Sequence, residues 1–399
     1  MLRGSVSSAT GRSQHSFSRS PQANIPRSKF NRSHGVKTTF DEGYLVPILV
    51  DEILPGDTLS LRMDAFARMA TPIYPIMDNL YLESFFFAVP YRLVWNNWEK
   101  FNGYQVDPGD STDYTVPTMT GPSGAGITTG SLADYMGLPI GIASVQFNSL
   151  HMRAYNLIWN EWFRHQDLQD SLVVDLDDGP DTYTDYTLQR RGKRYDYFTS
   201  CLPYPQKGPD VGIGLTGTIP VELSATTGVE QLIKTTSAHA LVSGAQLGSD
   251  TAGDIGEMQN NLNDVHVVLD PNGTLNVDLG DASSITINDL RLAFQTQKLY
   301  ERDARGGTRY TEVIRSHFGV VSPDARQQRP EYLGGGSTPV LINPVAQTSA
   351  TSGSNALGDL AAYGVCAPKG HGFTYSATEH CLLVGLVNVR ADINYQQGM

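Results

Sequence analysis

The stretch Asn79-Leu80-Tyr81-Leu82-Glu83-Ser84-Phe85-Phe86-Phe87-Ala88-Val89 decides the fold class. Both alternating sets of its positions are apolar toward the end, so as a strand it needs cover on both faces, and Pro90 closes it. Upstream, residues 58–65 (TLSLRMDA) alternate apolar and polar side chains, the period of a half-buried strand. Far downstream, residues 387–394 (VNVRADIN) alternate just as regularly. Loops dense in Gly, Pro, Ser and Thr, such as residues 121–126 (GPSGAG), lie between such runs. The pattern is that of a mainly β, antiparallel protein with long loop insertions and a few helices, not of alternating βαβ units.

Helical spacing appears three times. Phe147, Leu150, Ala154, Leu157, Ile158 and Trp162 recur at three- and four-residue steps and predict a helix over residues 144–168. A second is expected over residues 288–303, stopped by Gly306-Gly307, and a shorter one over residues 309–318. Residues 334–358, rich in Gly, Ser and Thr, are expected to form a long polar loop.

The chain divides by composition. Residues 1–40 hold Arg3, Arg12, Arg19, Arg27, Lys29, Arg32 and Lys37 and no acidic residue, although the whole chain carries a net charge of −12. Such a segment buries too little apolar surface to offset its ordering entropy and reads as an extended or disordered basic arm. Its seven cations suit a polyanionic partner, neutralising phosphates without reading sequence, with Phe17 and Phe30 as stacking platforms for single strands. The competing reading is a tail that keeps subunits soluble before assembly. Residues 41–207 and 286–399 read as two parts of one β domain. Residues 208–285 lack Trp, Tyr and Phe altogether and read as an insertion projecting from that domain.

At 399 residues the chain supports a substantial core. Its charged fraction of 18 % lies below the roughly 25 % typical of soluble domains. Low charge beside 19 Tyr, 14 Phe and 4 Trp fits a protein that hides surface in subunit contacts, and equally an ordinary β domain of modest polarity. Cys201, Cys366 and Cys381 are too scattered for a disulfide framework, and the N-terminus lacks the apolar core of a signal peptide, so synthesis in a reducing cytoplasm is expected. No apolar run reaches membrane-spanning length, so no membrane insertion is expected.

The motifs that carry chemistry are weak. Residues 212–217 (GIGLTG) match the GxGxxG form, but the strand-like, Pro-containing sequence after them replaces the helix that would meet a pyrophosphate. Asp167, Asp170, Asp175, Asp177, Asp178 and Asp181 miss the spacing of a calcium loop and read better as a solvated acidic loop than as a calcium site at a subunit contact. His371, His380 and Cys381 find no further zinc ligands, and His380-Cys381 leads into an apolar run, as at a strand edge. No GxSxG, Walker or HExxH motif is present. No catalytic residue, metal site or cofactor is expected, and the protein is not read as an enzyme.

Several longer segments together resemble the major capsid proteins of gokushoviruses, a branch of the Microviridae that infects bacteria. They are residues 26–30 (PRSKF), 51–57 (DEILPGD), 153–164 (RAYNLIWNEWFR), 196–208 (DYFTSCLPYPQKG), 301–310 (ERDARGGTRY) with 316–320 (SHFGV), 330–335 (PEYLGG) and 386–392 (LVNVRAD). They run in order over most of the chain. The resemblance implies an eight-stranded jelly roll that self-associates, through pentamers, into a simple icosahedral virion shell around circular single-stranded DNA. It also implies other virion proteins as partners and assembly in the cytoplasm of the bacterial host. An insertion after the PQKG-type segment builds a protrusion at the three-fold axes in that family and is thought to contact a host surface receptor; residues 208–285 fall at the matching place. Family members usually continue past the position of Met399, so the chain resembles a fragment, and a missing end would leave an open sheet edge. The rival readings are a monomeric β-sandwich that binds glycans or cell surfaces and a hydrolase on a β scaffold. Oligomer size separates the first rival from a capsid subunit, and a pocket with paired carboxylates or a metal would favour the second.

Overall fold

The computed structural model describes residues 28–72, 76, 78–111, 113–212, 221–223, 233–235, 267–269, 275–277, 286–321, 328–353 and 356–392. The chain falls into two units, Met1–Asp41 and Glu42–Met399. In the first, residues 28–41 have no helix or strand and are almost wholly exposed.

In the second unit the strands are β1 (Val46–Ile53), β2 (Thr58–Met63), β3 (Ala67–Arg68), β4 (Asn79–Pro90), β5 (Thr118–Thr120) and β6 (Gln146–Asn148). They continue with β7 (Val221–Leu223), β8 (Ile233–Thr235), β9 (Val267–Leu269), β10 (Leu275–Val277), β11 (Glu331–Pro339), β12 (Leu341–Ala346), β13 (Leu360–Cys366), β14 (His371–Ser376) and β15 (Cys381–Asp392). The helices are α1 (Trp98–Phe101), α2 (Leu132–Tyr135), α3 (Leu150–Ile158), α4 (Ile287–Gly306) and α5 (Tyr310–Phe318).

The main sheet has the order β1-β15-β4-β11, antiparallel throughout. A second ladder joins β2 to β14. The pairs β1–β15, β2–β14 and β4–β11 are therefore nested: the first strand meets the last, and each later strand meets an earlier partner from the other end. That nesting is the connectivity of a jelly roll, produced when one long antiparallel ribbon folds over on itself. The protein is mainly antiparallel β in several sheets, as the sequence indicates.

β4 explains why its sequence is apolar on both sets of positions. Phe87 and Val89 join Leu382, Val384 and Leu386 of β15 in a core shared with Leu150, Ala154, Tyr155 and Ile158 of α3. Phe86 faces the other way, toward Leu49 and Phe373 of β14, with ring centroids of Phe86 and Phe373 5.4 Å apart. Ala88 packs on that same face with Ile53, Cys381 and Leu383. The period of two thus supplies two cores, one against the helical layer and one against the second ladder. β2, by contrast, alternates between exposed and half-buried positions. β15 lies between β1 and β4, so in the main sheet the outer strands are β1 and β11.

Two expectations need correction. Residues 144–168 do not form one helix. Gln146–Asn148 pair with Thr118–Thr120 instead, and the Asn148 side chain accepts the Leu150 N–H at 2.8 Å, which starts α3 late. At the other end Trp159–Phe163 widen into a π-turn, in which the Arg164 N–H reaches the Trp159 carbonyl at 2.8 Å before the backbone becomes extended. Nor are residues 334–358 one polar loop, since β11 and β12 occupy residues 334–339 and 341–346. The glycines there serve close approach, not looseness. A Cβ on Gly335 would lie 2.0 Å from the Ser84 carbonyl oxygen, and one on Gly336 would lie 2.4 Å from the His371 ring.

That space admits a buried histidine between the ladders. His371 on β14 is hydrogen-bonded through Nδ1 to Ser84 Oγ of β4 at 2.8 Å and through Nε2 to Thr338 Oγ1 of β11 at 3.0 Å. Burial lowers its pKa below the usual histidine value. The unfolded chain therefore binds the proton first as pH falls through about 6.5, and stability drops from there until the folded histidine also titrates. Urea midpoints at pH 7.5 and 5.5 are expected to separate more for the wild type than for His371→Asn. Equal separations would show that His371 contributes nothing to acid lability.

The helices α4 and α5 match their expected places. Thr286 caps α4: its side chain accepts the Asp289 N–H at 3.2 Å, and Asp289 returns the bond to the Thr286 backbone. α5 ends at Gly319, whose φ of 69° is left-handed. Within residues 208–285, β7 pairs with β10 and β8 with β9, again nested, so the described strands there pair with one another.

Candidate functional site

The acidic stretch 167–181 is tied into the fold. Arg153 of α3 and Asp181 are both fully buried, and Arg153 Nε donates to Asp181 at 2.6 Å. Arg153 also donates to the carbonyls of Val94 at 3.0 Å and Asp177 at 2.9 Å. Burial pulls the guanidinium pKa down, but the bonds and charge of Asp181 outweigh it and the net shift is upward. Asp178 accepts from the Trp95 indole at 2.7 Å and from Asn97 at 2.9 Å. Tyr186 donates to Asp175 at 3.1 Å and to Asp181 at 3.2 Å, and burial beside these carboxylates raises its phenol well above the ordinary tyrosine value. Asp167 accepts from Tyr204. Asp177 and Asp181 thus fasten the loop to α3 through Arg153, while Asp178 ties it to Trp95 and Asn97 and Asp175 accepts from Tyr186. Among the described residues no three His, Cys, Asp or Glu side chains are grouped to hold a metal.

The remaining chemistry-bearing residues are also dispersed. His371 lies between the ladders, as above. Cys381 is buried at the start of β15, and its thiol is pushed up to about 11, chiefly by burial. His380 stands edge-on to Trp98 with ring centroids 5.2 Å apart, beside a shallow cleft formed with Glu99, Asn102 and Tyr104. Gly212 of the GxGxxG match is described while residues 213–217 are not, and Val221–Leu223 beyond them is a strand rather than a helix.

Of the arm residues, Arg3, Arg12, Arg19 and Arg27 lie outside the described residues. Lys29, Arg32 and Lys37 lie in the exposed stretch without helix or strand. Among the described residues no helix is long and apolar enough to cross a membrane.

Two exposed surfaces were not singled out from sequence. In the 20-residue helix α4 the only buried residue is Ala304, while Ile287, Leu290, Leu292, Phe294 and Leu299 are exposed. Next to it, Tyr310 and Phe318 of α5 are exposed as well. α4 packs on α5, with His317 paired to Asp303, and Arg309 ties this pair to the π-turn after α3 through Glu161 at 2.9 Å. A long amphipathic helix whose large apolar residues face water is usual where another chain covers it. The second surface, residues 190–198, combines four cations with Tyr195, Tyr197 and Phe198. Its signal was present as Arg190-Arg191-Gly192-Lys193-Arg194 followed by aromatics. What hid it was exposure, which only the fold reveals.

A β body of nested strands, carboxylates committed to internal hydrogen bonds and large exposed apolar faces describe a building block. Residues 18–399 match the family described as capsid protein (F protein). The chain belongs to this capsid protein family. It is 44 % identical over 393 residues to capsid protein VP1 of Bdellovibrio phage phiMH2K, covering 97 % of this chain and 73 % of that protein. With capsid protein VP1 of Chlamydia phage 1 it shares 40 % identity over 449 residues, covering 96 % of this chain and 74 % of the relative. With capsid protein VP1 of Spiroplasma virus 4 it shares 36 % over 406 residues, covering 96 % and 73 %. The resemblance to gokushovirus capsid proteins carried by the motifs is upheld along nearly the whole chain. This capsid protein is a structural component of the virion.

Proposed function

We propose that this capsid protein is the major shell subunit of a small single-stranded DNA bacteriophage, self-assembling through pentamers into a T=1 icosahedral shell around a circular genome. Its role is architectural rather than catalytic, and assembly takes place in the cytoplasm of the bacterial host. The observation that carries this reading is the nested jelly-roll pairing β1–β15, β2–β14 and β4–β11 in a chain of the capsid family. The exposed apolar residues of α4 and α5 supply surface for contacts between copies. Residues 1–40 form the genome-facing arm, with Arg3, Arg12, Arg19, Arg27, Lys29, Arg32 and Lys37 neutralising phosphates. Residues 208–285 form the surface insertion, built on self-paired strands, that meets the host receptor. The shell partners are further copies of this chain, the genome and other virion proteins.

Two deletions separate these roles. Removing residues 1–40 should leave shells that form but package less nucleic acid, read as a lower 260/280 nm absorbance ratio of purified particles. Removing residues 208–285 should leave soluble, folded protein whose particles no longer adsorb to host cells. Unchanged packaging would count against the arm, and loss of soluble protein on the second deletion would make the insertion part of the core.

A further inference from the structure

Glu83 of β4 is 2 % exposed and is met by three guanidinium groups. Arg191 pairs with it directly, Arg194 at 2.7 Å and Arg390 of β15 at 2.9 Å, while Arg390 also reaches Asp392. Arg191 is further held over the Phe85 ring at 4.8 Å. Among the described residues, one buried carboxylate and one surface carboxylate face these three arginines. Burial first, and then the positive charges of Arg390 and Arg194, push the Arg191 pKa down to about 10. An anion bound here would relieve that repulsion.

The same segment presents flat apolar surface. Tyr195, Tyr197 and Phe198 are exposed, Tyr197 by 85 %. Their presentation is fixed, not incidental: the Asp196 carboxylate accepts the N–H groups of Phe198 at 2.9 Å and Thr199 at 2.8 Å, closing a turn that sets Tyr197 and Phe198 edge to face with centroids 5.4 Å apart. Lys193 pairs with Asp196, and Arg190 stacks on the Tyr44 ring at 4.6 Å. The segment is also tied to the strand-flanking turn before β1, since the Arg191 N–H donates to the Gly43 carbonyl at 2.7 Å.

We propose that residues 190–198, with Arg390, form a contact site for single-stranded nucleic acid on the folded body: Arg191, Arg194 and Arg390 take the phosphate, and Tyr195, Tyr197 and Phe198 stack on the bases. Unpaired strands are favoured because they offer both charge and an accessible base face, whereas a duplex hides the face. A protein neighbour would have to desolvate the same cations, which is costly without matched carboxylates. The proposal rests on the reading that this capsid protein encloses single-stranded DNA, and assigns part of that binding to residues outside the arm.

The test uses the full chain and a fluorescein-labelled thirty-nucleotide oligo-dT, with fluorescence anisotropy across a salt series and sedimentation of the same samples. Arg194 is 58 % exposed at its side chain, so Arg194→Gln and the double change Tyr197→Ser with Phe198→Ser leave the core intact. The ring variant should bind the oligonucleotide roughly tenfold or more weakly with little change for a duplex of equal length, since base stacking supplies the difference. Arg194→Gln should reduce the slope of log affinity against log salt by about 0.7, one phosphate contact on a single strand. Wild-type affinity in the ring variant would overturn the proposal. Retained affinity with lost particle formation would overturn it too, marking the strip as a subunit contact while the shell reading stands. Ring-dependent binding by a protein that never assembles would uphold the strip and sink the shell reading.

Discussion

Arg153→Met is expected to destabilise the folded protein by about 3–5 kcal/mol, because it removes one partner of a fully buried ion pair and leaves the other charge stranded. Methionine fills much of the arginine stem's volume, so the loss is electrostatic rather than a cavity. Asp181 keeps only the Tyr186 hydroxyl, at 3.2 Å, as a side-chain donor, and the carbonyls of Val94 and Asp177 lose theirs. Since the intact pair itself is worth little after desolvation, the double change Arg153→Met with Asp181→Leu should recover a large part of the loss. Chemical denaturation followed by tryptophan fluorescence measures both, because Trp95 and Trp159 sit in this layer. A single variant as stable as wild type would mean that the 175–181 loop is not held by Arg153.

Phe86→Ala and Phe87→Ala are expected to lose about 3–5 kcal/mol each, the usual cost of emptying a fully buried phenylalanine site. The informative feature is that neighbours in sequence should be equally costly. Phe87 points into the α3 core beside Phe163 and Trp162, whereas Phe86 points at Phe373 in the opposite core. A strand covered on one face would tolerate one of the two changes. Denaturant midpoints for the pair therefore read directly whether β4 is sandwiched. A near-neutral result for either would leave that face open to solvent.

The parts of this fold that sequence revealed are those set by local period. β2 follows from alternation and β4 from an apolar, aromatic run closed by Pro90, each within a dozen residues, and α4 and α5 from three- and four-residue steps with glycine stops. The misread parts depend on residues far along the chain. Gly334, Gly335 and Gly336 look like loop until Gly372, Ser84 and His371, all distant in sequence, are seen to need the room a Cβ would take. The helical period through Phe147 was overridden by pairing with Met119, a contact local sequence does not announce. The acidic run behaved likewise: its spacing excluded a calcium loop, but only the burial of Arg153 shows what Asp181 does. The charge asymmetry of residues 1–40 is a property of the sequence itself. The arginine–aromatic strip needed the fold, because Glu83, Arg191 and Arg390 come from three separate segments.

As a shell subunit, this jelly roll closes with copies of itself. Particles from bacteria expressing the gene, examined by sedimentation velocity and cryo-electron microscopy with and without added single-stranded DNA, test it most directly. Uniform icosahedral particles, or pentamers that close when the DNA is added, are expected. A well-behaved monomer at all concentrations and salt conditions would contradict it.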